Sequence, residues 1–175
     1  MANLCITSVI VKSDNKEILN KINDAFNSAA SYHEALMKLG VSRESISDYK
    51  DSTINLSYID VDGALHINLE TEWYFEYESL NLLNSMFTEK PAVLFLSEEM
   101  GCEVYETNDF NKEFFKEKYY LDINEGAYYI ESDSDLIDMV NECFNERFLN
   151  VSDVFEFVNG APHTYVREID YVDFD

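Results

Sequence analysis

The stretch from Thr53 to Trp73, TINLSYIDVDGALHINLETEW, decides the fold of this chain. Apolar and polar residues alternate on both sides of residues 60–63, and that segment, Asp-Val-Asp-Gly, has the composition of a tight turn. Residues two apart share one face of a strand, so the pattern predicts a β-hairpin. The residues predicted to share a face in the first strand are Ile54, Leu56 and Tyr58. Those predicted to face the core in the second strand are Leu65, Ile67, Leu69 and Trp73.

Further strands and helices are predicted on both sides of the hairpin. Residues 3–12 are β-branched and apolar, which favours a strand. Ser13 or Asp14 can cap a helix that continues, with a break near Ser28, to Leu39, where Gly40 ends it. A loop is predicted over 41–51, a helix over 80–87, and a strand pair over 92–96 and 103–105. The resulting order, β-α-β-β-α-β, is that of the ferredoxin-like split βαβ motif.

The remaining third of the chain predicts additional strands and one helix. Residues 119–130 indicate another hairpin, and residues 164–174 a final strand. Ser132 can cap a helix between them, with a buried face of Leu136, Val140, Cys143 and Phe144. The sequence therefore predicts an α+β fold with an antiparallel ferredoxin-like core in residues 1–108. Residues 109–175 are predicted to form a C-terminal extension of a β-hairpin, a helix and a strand, packed on the same domain.

Negative charge is distributed unevenly along the chain. The 175 residues hold 35 acids and 12 bases, which gives a formal net charge of −23. Residues 1–50 carry six acids and six bases, so residues 51–175 carry the whole excess. The composition is 46% hydrophobic and 14% aromatic, too apolar for a disordered acidic tail. Because such a charge opposes folding and a solubility charge spreads more evenly, we expect the acids to serve binding.

The charge also limits the kind of partner. Phosphates would be repelled, so direct binding of nucleic acid and of anionic membranes is not expected. Three widely separated cysteines without a C-x-x-C motif indicate a reduced, cytoplasmic protein. The N-terminal residues show no signal peptide, and no apolar run has the length of a membrane span. The expected partner is therefore a basic protein, while the pattern gives no oligomeric state.

The most suggestive acidic pattern lies at the end of the hairpin. In an extended strand, residues that are two apart share one face; here they are Glu70, Glu72, Tyr74, Glu76 and Glu78. If the strand extends that far, its carboxylates form a row with a spacing of about 6.6 Å, similar in scale to successive backbone phosphates. The alternative is a solvated sheet face, with a helix that starts before Glu76.

Further acids cluster beyond the hairpin. The first group is Glu98, Glu99, Glu103 and Glu106; the second is Glu131, Asp133, Asp135 and Asp138; the third is Asp170, Asp173 and Asp175. Local explanations also exist, because acids at a helix N-terminus favour the helix dipole and charges protect exposed strands from aggregation. We predict that the hairpin acids, the first group, and Glu131, Asp133 and Asp135 bind the partner, with Tyr74 as an aromatic anchor.

No motif in the sequence predicts catalysis, a metal or a cofactor. His33, His66 and His163 have no metal-ligand spacing with one another or with a cysteine. The chain contains no phosphate-binding glycine loop and no G-x-S-x-G or H-E-x-x-H. We therefore predict a protein that is not an enzyme and uses no cofactor. A site assembled from dispersed Cys, His and carboxylate side chains remains the alternative.

Three short segments resemble one protein family. They are Met1-Ala2-Asn3-Leu4-Cys5, Leu69-Glu70-Thr71-Glu72-Trp73, and Val93–Leu96 with Glu98-Glu99-Met100-Gly101. Together they are similar to a phage- and plasmid-encoded family with a YubB-type ferredoxin-like domain, over residues 1–108. Leu4 stands where that family has Trp, and Glu72 where it has Ala. The resemblance implies a mobile-element origin and a ferredoxin-like core, and nothing about catalysis.

Charge and resemblance together predict a phage or mobile-element inhibitor. It would bind a basic host defence protein, such as a CRISPR effector or a restriction enzyme, by mimicking the phosphates of DNA or RNA. An immunity protein that neutralises a basic toxin nuclease is the alternative, because the same electrostatic complementarity applies.

Overall fold

The computed structural model describes residues 3–99, 104–123 and 126–173. Within these ranges the chain is mixed α+β, with one six-stranded sheet, one three-stranded sheet and six α-helices. It divides into two compact units: Met1–Phe110 with Tyr171–Asp175, and Asn111–Asp170. The division at residue 108, with the extension packed on the same domain, stays a prediction.

The first unit holds the larger sheet and four helices. Its strands are β1 (Leu4–Lys12), β2 (Thr53–Ile59), β3 (Leu65–Glu72), β4 (Ala92–Glu99) and β5 (Val104–Thr107). Its helices are α1 (Lys16–Ser28), α2 (Tyr32–Leu39), α3 (Arg43–Ile46) and α4 (Leu80–Ser85), the last preceded by a 3-10 turn at Tyr77–Ser79. The sheet order is β2-β3-β1-β4-β5-β9, where β9 is Asp170–Tyr171. Neighbouring strands from β2 to β5 are antiparallel.

The core of this unit lies between α1, α2 and one face of the sheet. Ile22 and Phe26 of α1 and Leu36 of α2 are at most 1% exposed, and they pack in one cluster with Leu65 and Phe95 of the sheet. Burying one such side chain contributes about 1.5–3 kcal/mol. The apolar positions that the sequence shows at helical spacing therefore form the contact between helices and sheet.

The ends of α1 and α2 follow local capping chemistry. The predicted break near Ser28 separates the two helices, and Gly40 ends α2 in the left-handed conformation, φ 106°, as predicted. The predicted cap of α1 is wrong. Asn15, not Ser13 or Asp14, accepts a hydrogen bond from the Glu17 N–H at 3.0 Å. The short helix α3 lies inside the segment predicted as a loop.

The β2–β3 hairpin is present, but its two strands differ from the prediction. Leu65, Ile67 and Leu69 are buried as predicted. The pairing register of β2 with β3 shifts between Ile54 and Leu56. Beyond this shift the side chains of β2 face the opposite side of the sheet from the predicted one, so that Leu56 is 53% exposed and Ser57 is buried. Because a bulge inserts one extra residue, the alternation inverts beyond it. The prediction that Ile54, Leu56 and Tyr58 share a face is therefore wrong.

The second unit holds the smaller sheet and two helices. Its elements are β6 (Tyr119–Ile123), β7 (Gly126–Ile130), α5 (Asp133–Phe144), α6 (Val151–Gly160) and β8 (Tyr165–Glu168), with sheet order β7-β6-β8. Leu136 and Val140 of α5 and Val154 and Val158 of α6 are fully buried in its core. Ser132 caps α5 as predicted.

Three details of this unit depart from the prediction. Cys143 is exposed, whereas Phe144, predicted on the same buried face, is partly buried and packs against the core. Helix α6 was not predicted, although Asn150 caps it and Val154 and Val158 repeat at helical spacing. The predicted final strand is divided into β8 and β9. In the described ranges, no helix combines the length and apolar character needed to cross a bilayer.

Candidate functional site

The predicted carboxylate row does not form, because β3 ends at Glu72. The Trp73 N–H still donates to the Asn3 carbonyl at 2.9 Å, but Trp73 has φ 74° and the chain turns there. The Tyr74 N–H then bonds back to the Glu72 carbonyl at 3.1 Å. Glu70 and Glu72 therefore remain on the strand, while Glu76 and Glu78 belong to a different segment.

Two aromatic residues, Trp73 and Phe75, explain this turn. Phe75 is 4% exposed and makes an edge-to-face contact with Tyr32, with ring centroids 5.7 Å apart. Trp73, which was predicted to face the core, is 46% exposed. A positive φ is uncommon for a bulky residue and costs free energy. Burial of Phe75 offsets that cost and leaves Trp73 at the surface.

The turn brings Tyr74 and Glu76 into a small polar network with Lys50. The Tyr74 hydroxyl donates to one carboxylate oxygen of Glu76 at 3.4 Å, and the Lys50 backbone N–H donates to the other. The Lys50 ammonium lies over the Tyr74 ring, 4.2 Å from its centroid. These contacts fix the direction of the Glu76 carboxylate.

A pocket of about 340 Å³ lies between residues 73–78 and strand β5. Its lining combines aromatic side chains with carboxylates; the residues are Trp73, Tyr74, Phe75, Glu76, Tyr77, Glu78, Val104 and Glu106. The pKa of the Tyr77 hydroxyl is raised, first by burial and then by the charges of Glu78 and Glu106. The pocket therefore unites three predicted acids, Glu76, Glu78 and Glu106, with Tyr74. Trp73, which also lines the pocket, was not predicted as a site residue.

Of the acids predicted around the β4–β5 connection, the three described ones, Glu98, Glu99 and Glu106, do not form one surface. Glu99 is only 2% exposed, because it alternates with Phe95 and Ser97 on the core face of β4. Its place on a solvent-facing surface was therefore wrongly predicted. Glu98 pairs with Tyr105 and Glu106 pairs with Ser97, so the two glutamates lie on opposite faces of the sheet. Glu103 lies outside the described residues.

The acids at the start of α5 have local partners in the second unit. Asp133 accepts hydrogen bonds from the Lys118 ammonium at 2.7 Å and the Tyr119 hydroxyl at 2.8 Å. The hydrogen bond from Lys118, followed by that from Tyr119, lowers the pKa of Asp133. Ser132 donates its hydroxyl to Asp135 at 2.5 Å and accepts the Asp135 N–H at 3.2 Å. Part of this cluster therefore serves to start the helix, while Glu131 is exposed beside it.

An acidic stripe continues along the outer face of α5. Asp135, Asp138 and Glu142 are three and four residues apart, so they share one face, and all three are exposed. No lysine or arginine occurs in α5 or in α6. Like charges at this spacing destabilise a helix, and Glu142 in the last turn also opposes the helix dipole. Glu142 was not predicted, although its helical spacing from Asp138 was visible in the sequence.

Cys5 and His66, two side chains of types that can act in catalysis, contact neighbouring side chains within the first unit. Cys5 is buried, 3.8 Å from the Ser97 hydroxyl, and burial raises the pKa of its thiol. His66 contacts Asp60 at 2.7 Å and stacks on Tyr58 with centroids 4.9 Å apart. Within the described ranges, no three His, Cys, Asp or Glu side chains are arranged to hold a metal ion.

These features define an α+β protein with an aromatic, carboxylate-lined pocket in one unit and an acidic helix face in the other. No family model, curated protein or solved structure matches this chain.

Proposed function

We propose that this protein binds a basic, nucleic-acid-handling protein and occupies the groove in which that protein holds DNA or RNA. The main support is the distribution of charge: the whole net charge of −23 lies in residues 51–175, which contain 29 acids and six bases. Six bases are too few to neutralise these acids within the chain. The excess charge attracts a cationic groove and accelerates association with it.

The acidic face of α5 is one part of the proposed contact surface. From Asp135 to Glu142 it presents three exposed carboxylates over about 10 Å, from the rise per residue of a helix. This arrangement carries a cost in helix stability, which binding to a cationic surface would offset. The exposed aromatic residues Trp73 and Tyr74 supply apolar contact area in the other unit.

We further propose that the first unit has a ferredoxin-like core. The support is the strand order β2-β3-β1-β4 with antiparallel neighbours, with α1 between β1 and β2 and α4 between β3 and β4. In this proposal the chain belongs with the phage- and plasmid-encoded YubB-type proteins. Its partner is then a host defence protein in the bacterial cytoplasm, such as a CRISPR effector or a restriction enzyme.

In this role the protein is an inhibitor and not an enzyme. The raised pKa of the Cys5 thiol argues only against Cys5 as a nucleophile, because a protonated, buried thiol is a poor nucleophile. The immunity-protein alternative shares the electrostatic argument, and the identity of the partner distinguishes the two: a cognate toxin nuclease or a defence nuclease.

The test is affinity capture from a bacterial host lysate, with mass spectrometry of the bound proteins at about 50 mM and about 200 mM salt. We expect a basic nuclease or CRISPR effector at low salt and much less of it at higher salt. Capture of no basic nucleic-acid-handling protein at low salt would contradict the proposal.

A matched pair of variants tests whether specific acids matter. The test variant carries Asp135→Asn, Asp138→Asn and Glu142→Gln. The control removes three exposed charges from the neutral N-terminal segment, with Asp24→Asn, Glu44→Gln and Asp48→Asn. We expect the test variant to recover less of the captured protein than the control. Equal recovery with the two variants would show that capture of the partner depends on net charge alone and not on the acids of α5.

A further inference from the structure

We propose that the pocket between residues 73–78 and β5 binds the guanidinium group of an arginine side chain. The identity of that arginine as part of the partner rests on the proposed function. The affinity of the pocket for a guanidinium group is a property of this chain alone and can be measured without the partner.

The aromatic side of the pocket favours a flat cation. Trp73 is 46% and Tyr74 is 45% exposed, so both rings present surface to solvent. Tyr77 is held in place because it stacks on Phe95, with centroids 5.2 Å apart and planes 14° from parallel. Guanidinium groups stack on aromatic rings and are attracted to their faces.

The carboxylate side of the pocket supplies the matching charge. Glu76 is oriented by the Lys50 N–H and by the Tyr74 hydroxyl. Glu78 and Glu106 come from opposite walls, and both act on the Tyr77 hydroxyl. Glu76 and Glu106 are half-buried, where the lower effective dielectric strengthens attraction to a cation.

One aromatic side chain of the pocket lining, Tyr74, already contacts a cation of the chain itself. Lys50 places its ammonium 4.2 Å from the centroid of Tyr74. Arginine fits the remaining pocket better than a second lysine, because a planar group with several donors can stack on a ring and bridge two carboxylates at once. The volume of about 340 Å³ lies at the small end of the range for ligand pockets, roughly 300–1,000 Å³.

Trp73 makes the test direct, because it is the only tryptophan in the chain and it lines the pocket. The experiment is a titration of the whole protein with N-acetyl-L-argininamide, followed by tryptophan fluorescence at low salt. The matched neutral probe is N-acetyl-L-citrullinamide, which has nearly the same shape and no charge. We expect a saturable change with the arginine probe and none with the citrulline probe. The same response to both probes, or no saturable response to either, would overturn the proposal.

A pair of charge variants locates the binding site. Glu78→Gln with Glu106→Gln is expected to weaken binding of the arginine probe by at least about tenfold, equivalent to about 1.4 kcal/mol. The control, Glu44→Gln with Asp62→Asn, removes the same charge from exposed positions outside the pocket and is expected to bind as the unmodified protein does. Equal weakening in the two variants would show a response to net charge and overturn the assignment.

The proposed function and the pocket assignment can be contradicted independently of each other. If the arginine probe binds but the protein captures no basic nuclease, the pocket assignment stands and the proposed function is wrong. If a nuclease is captured equally well by the pocket variant and the arginine probe does not bind, the function stands and the pocket assignment is wrong.

Discussion

Asp60 is the residue that organises the β2–β3 hairpin. Its carboxylate accepts the N–H groups of Asp62 at 3.0 Å and Ala64 at 2.9 Å, and it contacts the His66 ring at 2.7 Å. The hydrogen bond with His66, followed by that from Ala64, lowers the pKa of Asp60. A short polar side chain therefore holds the turn that the sequence predicts.

The lowered pKa of Asp60 gives a pH dependence with a definite sign. A carboxyl group whose pKa is lower in the folded chain stabilises the fold above its ordinary pKa of 3.8, and this contribution disappears as the pH falls through the folded value. We expect the unfolding free energy to fall more steeply below about pH 5 in the unmodified protein than in Asp60→Asn. Urea unfolding across the acid range measures this. Asp62→Asn is the control, and identical pH slopes for Asp60→Asn and the unmodified protein would contradict the role of Asp60.

Asn145 ends α5 in the left-handed conformation, with φ 54°. Its N–H donates to the Asn141 carbonyl, which satisfies one of the last carbonyls of the helix. Alanine pays a larger penalty than asparagine in this conformation, whereas glycine adopts it readily. We expect Asn145→Ala to lower the free energy of unfolding by about 1 kcal/mol and Asn145→Gly to leave it unchanged or slightly higher. Denaturant unfolding compares the two variants, and equal stability of both would contradict this account of the helix end.

At the scale of elements, α5 combines good capping with unfavourable charge. Ser132 and Asn145 satisfy its two ends, and Leu136 and Val140 anchor it in the core. Its outer face nevertheless carries like charges up to the last turn, where the helix dipole favours a cation. An element whose solvent-facing residues reduce its stability is consistent with selection for binding.

We therefore expect Glu142→Lys to make the helix more stable and the protein a weaker binder. The lysine would favour the dipole and interact with Asp138 one turn earlier, a gain of about 0.5 kcal/mol. Asp62→Lys makes the same charge change at an exposed position in the β2–β3 turn, away from the end of any helix, and is the control. Unfolding measurements should show the larger gain for Glu142→Lys. A loss of stability in that variant would contradict the electrostatic account of α5.

The sequence predicted the elements better than the positions of individual side chains. Hydrophobic alternation located β3, and helical periodicity located α1 and α2. Neither pattern revealed the register shift after Ile54. The turn at Trp73 was also missed, because it depends on contacts between residues distant in the sequence, such as Phe75 with Tyr32. For the same reason the acids of residues 70–78 were predicted in one row, whereas the structure places Glu76 and Glu78 in a pocket with Glu106.

At the scale of the whole molecule, the charge of −23 affects stability as well as binding. Repulsion among the acids opposes folding, and salt screens it over about 10 Å at 0.1 M ionic strength. We expect the melting temperature to rise with added sodium chloride from about 0.01 M to about 0.1 M. A triple variant with Asp135→Asn, Asp138→Asn and Glu142→Gln should show a smaller rise. A melting temperature that falls with salt would show that attractive ion pairs outweigh repulsion.

We propose that carboxylates of this protein replace phosphates in the groove of a basic partner. Fluorescence anisotropy of a labelled DNA duplex bound to the captured nuclease or effector tests it most directly. We predict that added protein displaces the duplex at low salt, that displacement weakens as salt increases, and that the α5 triple variant displaces it less well than the N-terminal control variant. Formation of a complex in which the partner holds both the duplex and this protein would contradict the claim.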